Sequence, residues 1–255
     1  MTWRRQEFLA DIARTGVLTP EYAEDVLVRL AHHSAGIEGN TLTLADTVTL
    51  LVDERTPTAG TPVRELYEVA NHYQGLARIV QAVADDEPLS LDLVTDLHAA
   101  LMDHLTHDPG RFKTSSNIVT GASWRPAPPE QVPELMRQWA DQAEWQTANL
   151  DNQPLLEAIA GAHIAFEHIH PFSDGNGRTG RAIIAYQTIR RFGFPAIIQV
   201  AQRSAYISML DTQETSSLTR LLAAALAGET DRRLQFPSDR GGRTTEEGAD
   251  GGEET

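Results

Sequence analysis

Four residues with the chemistry to handle a phosphate ester fall within one short run: His170, Asp174, Arg178 and Arg181, in His-Pro-Phe-Ser-Asp-Gly-Asn-Gly-Arg-Thr-Gly-Arg over 170–181. A histidine with a reference pKa of about 6.5 accepts a proton near neutral pH. Asp174 offers a hard oxygen ligand of the kind that holds Mg²⁺ when water and substrate phosphates supply the other ligands. Gly175 and Gly177 around Asn176 let the backbone take positive φ and turn several N–H groups inward. Arg178 and Arg181, three apart, share one helix face, where guanidinium forks can grip phosphate oxygens. The run reads as an anion cradle with a base at its rim, suited to a triphosphate.

Two helices must position this cradle. Apolar residues at Leu155, Leu156, Ile159, Ala162, Ala165 and Phe166 have helical spacing, with Pro154 suited to a first turn. Pro171 disfavours helical geometry at His170, so that helix is expected to stop just before it. A second periodic run through Ile183, Ile184, Tyr186, Ile189 and Phe192 ends at Gly193, with Pro195 beyond. The cradle therefore lies at a helix N-terminus, where orphan donors and the macrodipole favour an anion. Two arginines in that first turn oppose the dipole at about 0.3–1 kcal/mol each unless an anion relieves them. A zinc reading of His163, Glu167 and His168 fails on spacing, because the two histidines are five apart and off one face. They are expected to be packing or helix-end residues.

The run resembles the signature of the Fic family, His-x-Phe-x-[Asp/Glu]-Gly-Asn-Gly-Arg-x-x-Arg, with every fixed position filled. The resemblance implies a mainly α fold, the Fic helical bundle with one small β-hairpin. It also implies transfer of AMP from ATP, with Mg²⁺, to a Ser, Thr or Tyr hydroxyl of a target protein or of the chain itself, with release of pyrophosphate. On this resemblance His170 is the catalytic base, Phe172 anchors the loop and Asp174 holds the metal. Gly175, Asn176 and Gly177 form the anion hole, and Arg178 and Arg181 bind the outer phosphates.

A second segment, Ser34-Ala-Gly-Ile-Glu38-Gly39-Asn40, follows a stripe of Tyr22, Val26, Leu27, Leu30 and Ala31 that Thr19-Pro20 can cap. Gly39 ends that helix, and a carboxylate at 38 is badly placed against the helix dipole without a cationic partner. The segment resembles the family's inhibitory motif, [Ser/Thr]-x-x-x-Glu-[Gly/Asn]. That implies an ion pair of Glu38 with Arg181, Ser34 beside it, in the space the γ-phosphate needs. Between the helices, Ile118, Val119, Thr120 and Gly121 precede Ala122 in a stretch expected to form a hairpin with Gly121-Ala122 at its turn and Gly first. In the family such a hairpin is a flap that docks the target as an added strand.

The rest of the chain bounds these readings. Its 255 residues are 41% hydrophobic, enough for one substantial core. Further helices are expected over 66–83, 91–105 and 132–145, with two short ones within 206–226. The expected organisation is an N-terminal arm (1–18), an inhibitory helix region (19–40), a catalytic core (41–200), C-terminal helices (201–236) and a disordered acidic tail (237–255). A net charge of −15 argues against nonspecific nucleic-acid binding. Zero cysteines, no signal-peptide stretch and no apolar run of about 18 residues fit a cytoplasmic protein away from membranes. A homo-oligomer is compatible with the sequence. The alternatives are a non-catalytic ATP-sensing module, or a Fic enzyme that removes AMP or transfers another nucleotide.

Overall fold

The computed structural model describes residues 4–57 and 59–236; the expected acidic tail lies outside the described residues. The described chain forms helices α1 (Arg5–Thr15), α2 (Pro20–Ile37), α3 (Leu44–Leu51), α4 (Val63–Ala70), α5 (His72–Ala84), α6 (Leu91–Leu101), α7 (Val132–Asn149), α8 (Asn152–Ile169), α9 (Asn176–Phe192), α10 (Arg203–Asp211) and α11 (Thr215–Arg233). The mainly α expectation holds. None of the described residues lies in a strand.

α9 is the centre of the bundle. It packs on α5, α6, α8 and α2 and buries residues around its whole circumference, among them Arg178, Arg181, Ile183, Tyr186 and Gln187. Such a helix has no solvent face, so its polar groups must find partners inside. Gln187 does so by donating to Thr147 Oγ1 of α7 at 2.7 Å. A second apolar cluster, with Leu155, Ile159, Tyr206, Leu218 and Leu222, joins α8 to α10 and α11.

α2 begins where expected: Thr19 Oγ1 accepts from the Tyr22 N–H, and Pro20 fills the first position. Its outer half is tied to α11, because Glu229 accepts from the Tyr22 hydroxyl at 2.7 Å and from Arg29 at 2.6 and 2.8 Å. α1 sets Phe8 and Ile12 into the main core, with the Phe8 ring edge-on to Tyr73 at 4.9 Å.

Several expected elements differ. Of the two C-terminal helices expected to be short and to lie within 206–226, the second is α11, which is 19 residues long and runs to Arg233. The helix expected over 66–83 is two, α4 and α5, divided at Asn71, whose side-chain amide donates to Leu101 O and Asp103 O at 3.0 and 2.8 Å. These carbonyls lie at the end of α6, which stops at Leu101 and not at 105, before His104 at φ +59°. The expected hairpin is a turn without strands: Ala122 N–H donates to Val119 O at 3.2 Å, and Gly121 at φ +84° is the third residue of that turn. The central pair is therefore Thr120-Gly121, as suits a turn that needs positive φ at its second central position, and not Gly121-Ala122.

Candidate active site

α8 ends at Ile169, where Pro171 keeps His170 out of the right-handed helical region, and His170 takes a left-handed conformation, φ +51° and ψ +61°, instead of the extended one usual before proline. Its Nδ1 lies 3.1 Å from Glu167 O. A neutral ring donates there, which leaves Nε2 as the accepting nitrogen. Burial above all pushes the His170 pKa down to about 4; the bond to Glu167 O opposes this, and the nearby charge of Lys113 adds to it. The ring is a free base at neutral pH.

The loop after His170 is held from inside. Phe172 is fully buried and stacks on the His98 ring with centroids 3.7 Å apart, against Phe112 and Phe166. Asn176 accepts from Phe172 N–H at 2.8 Å and donates to Phe172 O at 2.9 Å, so its side chain staples the loop and only its backbone N–H is left for a ligand. His98 Nδ1 accepts from Gly110 N–H at 2.8 Å, so Nε2 carries the proton and donates to Asp174 O at 2.9 Å. Phe172→Ala should cost about 3–5 kcal/mol of stability, as for a large buried aromatic. A denaturant midpoint unmoved in that variant would show that Phe172 does not anchor the loop.

α9 then starts at Asn176 with Gly175 at φ +80° before it and no side-chain cap, so no side chain claims its first-turn donors. Arg178 is buried, yet its Nε and Nη1 have no hydrogen-bond partner; only Nη2 reaches Asp174 Oδ1, at 3.3 Å. Leaving a buried charged donor unmade is costly, so these orphaned atoms beside an uncapped helix start suit an anion. Glu68 stands 3.6 Å from Arg178 Nη1.

Asp174 keeps 46% of its side chain exposed and accepts from Gly175 N–H at 2.6 Å and from Arg64 at 2.8 Å. Burial raises its pKa, but the charges of Arg178 and Arg64 and these hydrogen bonds outweigh that and hold it below the usual carboxylate range. It is an ionised, accessible oxygen ligand. Among the described residues no group of three or more His, Cys, Asp or Glu could hold a metal, so a cation here needs ligands from the substrate.

Arg181 is buried and meets α2. Its Nη2 donates to Glu38 Oε1 at 2.6 Å and to Ser34 O at 2.9 Å, and its Nε donates to Ser34 Oγ at 3.0 Å. Burial pushes the Glu38 carboxyl up, but the charge and hydrogen bond of Arg181 prevail and hold it below its ordinary value. The Glu38 carboxylate rests on the first turn of α9: a Cβ added at Gly177 would lie 2.4 Å from its Oε1. Only a glycine at 177 admits that approach. Gly39, at φ +100°, closes α2 just beyond.

The segment before the turn is tied to the loop by Lys113 N–H to Pro171 O at 2.8 Å, Asn117 Nδ2 to Phe172 O at 2.9 Å and Lys113 Nζ to Asn117 Oδ1 at 2.7 Å. Ile118 is 84% exposed at its edge, with Val119, Thr120 and Gly121 following. Trp124 stacks on His168 at 4.0 Å and meets His170 edge-on. His163 and His168 do take separate partners, Tyr206 Oη and Leu210 O. The structure thus brings His170, Asp174, Arg178, Arg181, Ser34 and Glu38 around one helix start. His98, Arg64, Glu68, Lys113 and Asn117 join them without having been expected; no motif marks them, and their partners lie far along the chain.

The chain carries a Fic domain: residues 88–188 match the model of the Fic/DOC family. A protein adenylyltransferase Fic from Aedes aegypti is 28% identical over 237 residues, 91% of this chain and 46% of that protein. One from Drosophila willistoni is 32% identical over 184 residues, 70% of this chain and 35% of that protein. The chain therefore spans less than half the length of these curated relatives. A Fic-domain-containing signalling protein from Bacteroides thetaiotaomicron shares the fold at TM-score 0.69, 23% identity, over 89% of this chain and 98% of that one. A Fic family protein from Desulfovibrio desulfuricans gives 0.67 and 25% over 94% and 77%. No helix among the described residues is long and apolar enough to cross a membrane.

Proposed function

We propose that this protein is an autoinhibited adenylyltransferase that moves AMP from ATP to a hydroxyl of a protein, its own chain included. One observation carries the reading: a neutral His170 with Nε2 left to accept opens a loop that leads to an uncapped helix start, whose first turn carries Arg178 with a buried Nε that has no partner. The names of the curated relatives support it. We assign residues 41–200 as the catalytic core and 19–40 as its brake.

The attacking hydroxyl gives its proton to His170 Nε2 as its oxygen bonds to the α-phosphorus. The bond from that phosphorus to the bridging oxygen breaks, and the β- and γ-phosphates leave as pyrophosphate. Such transfers ask a protein mainly for positioning and charge stabilisation. The N–H groups of Asn176 and Gly177 and the Arg178 guanidinium supply these, joined by the Gly175 N–H once it leaves Asp174 Oδ1, and Asp174 would hold Mg²⁺ once Arg64 yields its oxygen. The ion, when bound, neutralises phosphate charge. Arg181 serves the γ-phosphate, and Glu38 competes with that phosphate for it. The segment around Ile118 to Gly121 is the docking edge for the target backbone.

The test is label position. ATP labelled at the α-phosphate should leave its label on protein, and ATP labelled at the γ-phosphate should not. Label retained from the γ position alone would make the protein a kinase and overturn the reading. A depressed His170 also predicts the pH profile. The base is lost only as pH falls through about 4, so the transfer rate should be flat from pH 8 down to about 5.5. An acid limb centred near pH 6.5 would show an exposed, ordinary histidine instead.

A further inference from the structure

The three hydrogen bonds of 3.0 Å or less that Arg181 donates all go to Ser34 of α2 and to Glu38 at its C-terminal end. If Glu38 yields to a phosphate, these contacts weaken together, because both residues ride on one helix. A buried guanidinium then needs other support to stay aimed.

That support is built into α8 and α10. Tyr206, fully buried on α10, has its ring centroid 6.0 Å from the Arg181 guanidinium carbon. Its hydroxyl lies 2.7 Å from His163 Nε2, and the two rings stack at 5.8 Å. Glu167, one turn along α8, sets Oε1 3.8 Å from His163 Nε2, and that oxygen is buried without a hydrogen-bond partner. The backbone of α9 is pressed onto this cluster: a Cβ added at Gly180 would lie 2.6 Å from Glu167 Oε1 and 2.7 Å from His163 Cε1. Tyr206 and His163 take no part in the loop chemistry described above, and Glu167 enters it only through its backbone carbonyl, so its side chain is left without a role there; an unpaired carboxyl in a core is costly unless it has a task.

We propose that Tyr206, His163 and Glu167 form an inner clamp that keeps Arg181 aimed at the terminal phosphate of ATP after α2 lets go. They are positioning residues, and the inference rests on Arg181 being a γ-phosphate ligand. The charges fit. Burial pushes Glu167 up to about 8; Arg181 draws it down, and Glu38 pushes it up. A phosphate that displaces Glu38 is itself an anion beside Arg181, so the repulsion persists and Glu167 keeps its proton, supporting the cluster as a neutral carboxyl packed against His163 and α9. His163, pushed down to about 3 by burial and by Arg181, stays neutral and holds the Tyr206 hydroxyl through Nε2, with the Glu167 carboxyl packed beside it without a hydrogen bond.

Nucleotide binding separates this clamp from mere packing. Calorimetry with Mg²⁺ compares ATP and ADP on Glu38→Gly/His170→Ala protein, alone and with Tyr206→Phe added; the addition keeps shape, and equal melting temperatures establish the fold. The preference for ATP over ADP should drop about tenfold, with ADP affinity within about twofold of the parent. An unchanged preference, or equal loss for both nucleotides, overturns the clamp. So does a parent that binds ATP no better than ADP. These variants lack the base, so a failure of the transfer reading would appear in the label experiment and leave this ratio intact.

Discussion

Glu38→Gly should raise AMP incorporation by about 10- to 100-fold. The carboxylate meets Arg181 at 2.6 Å, and hydrogen bonds to charged groups contribute about 1.5–3 kcal/mol. Each 1.36 kcal/mol is a factor of ten, so freeing Arg181 for the γ-phosphate should appear as tighter ATP binding and faster transfer. Folding should weaken, because the buried Arg181 loses its counter-ion and keeps only its bonds to Ser34; the backbone itself adds little to that cost. Position 38 has right-handed backbone angles, φ −81° and ψ −4°, which glycine adopts at a cost of roughly 0.5–1 kcal/mol in chain entropy. Losing a carboxylate from the C-terminal end of α2 also relieves an unfavourable dipole contact. Titration calorimetry with ATP and a timed labelling assay check both effects. Unchanged incorporation in a folded variant that binds ATP would remove the brake.

Replacing His170 should abolish most transfer while leaving ATP bound. A positioned general base contributes about 10²–10⁴-fold, and nothing else at the rim combines a neutral acceptor with this placement. The choice of variant matters, because His170 sits at φ +51°. Alanine is mildly strained there, whereas asparagine tolerates left-handed backbone and accepts no proton at neutral pH. His170→Asn should therefore match His170→Ala in lost turnover and exceed it in stability. Turnover retained in both would move the base elsewhere.

The helices that carry this chemistry were legible because their signals are local. Thr19-Pro20 starts α2, Pro171 ends α8 and Gly193 ends α9, each through the geometry of one or two residues. The cradle was legible for the same reason: its residues share a loop and a helix turn. What supports the cradle was not. His98 reaches Asp174 across 76 residues and Arg64 reaches it across 110, and no periodicity relates such positions. Asn71 reads as one more residue of a helix until the carbonyls at the end of α6 claim its amide. Around Gly121 the residue types announced a turn but not its register, which the positive φ at Gly121 decides.

Intact mass after incubation with Mg²⁺ and ATP tests the proposed chemistry most directly. Wild-type protein should gain little, Glu38→Gly should gain the mass of AMP, and Glu38→Gly/His170→Ala should gain none. That pattern establishes transfer, base and brake together. ATP bound by all three proteins, with no added mass on any of them or on proteins supplied as targets, would contradict the transferase and leave a nucleotide-binding module.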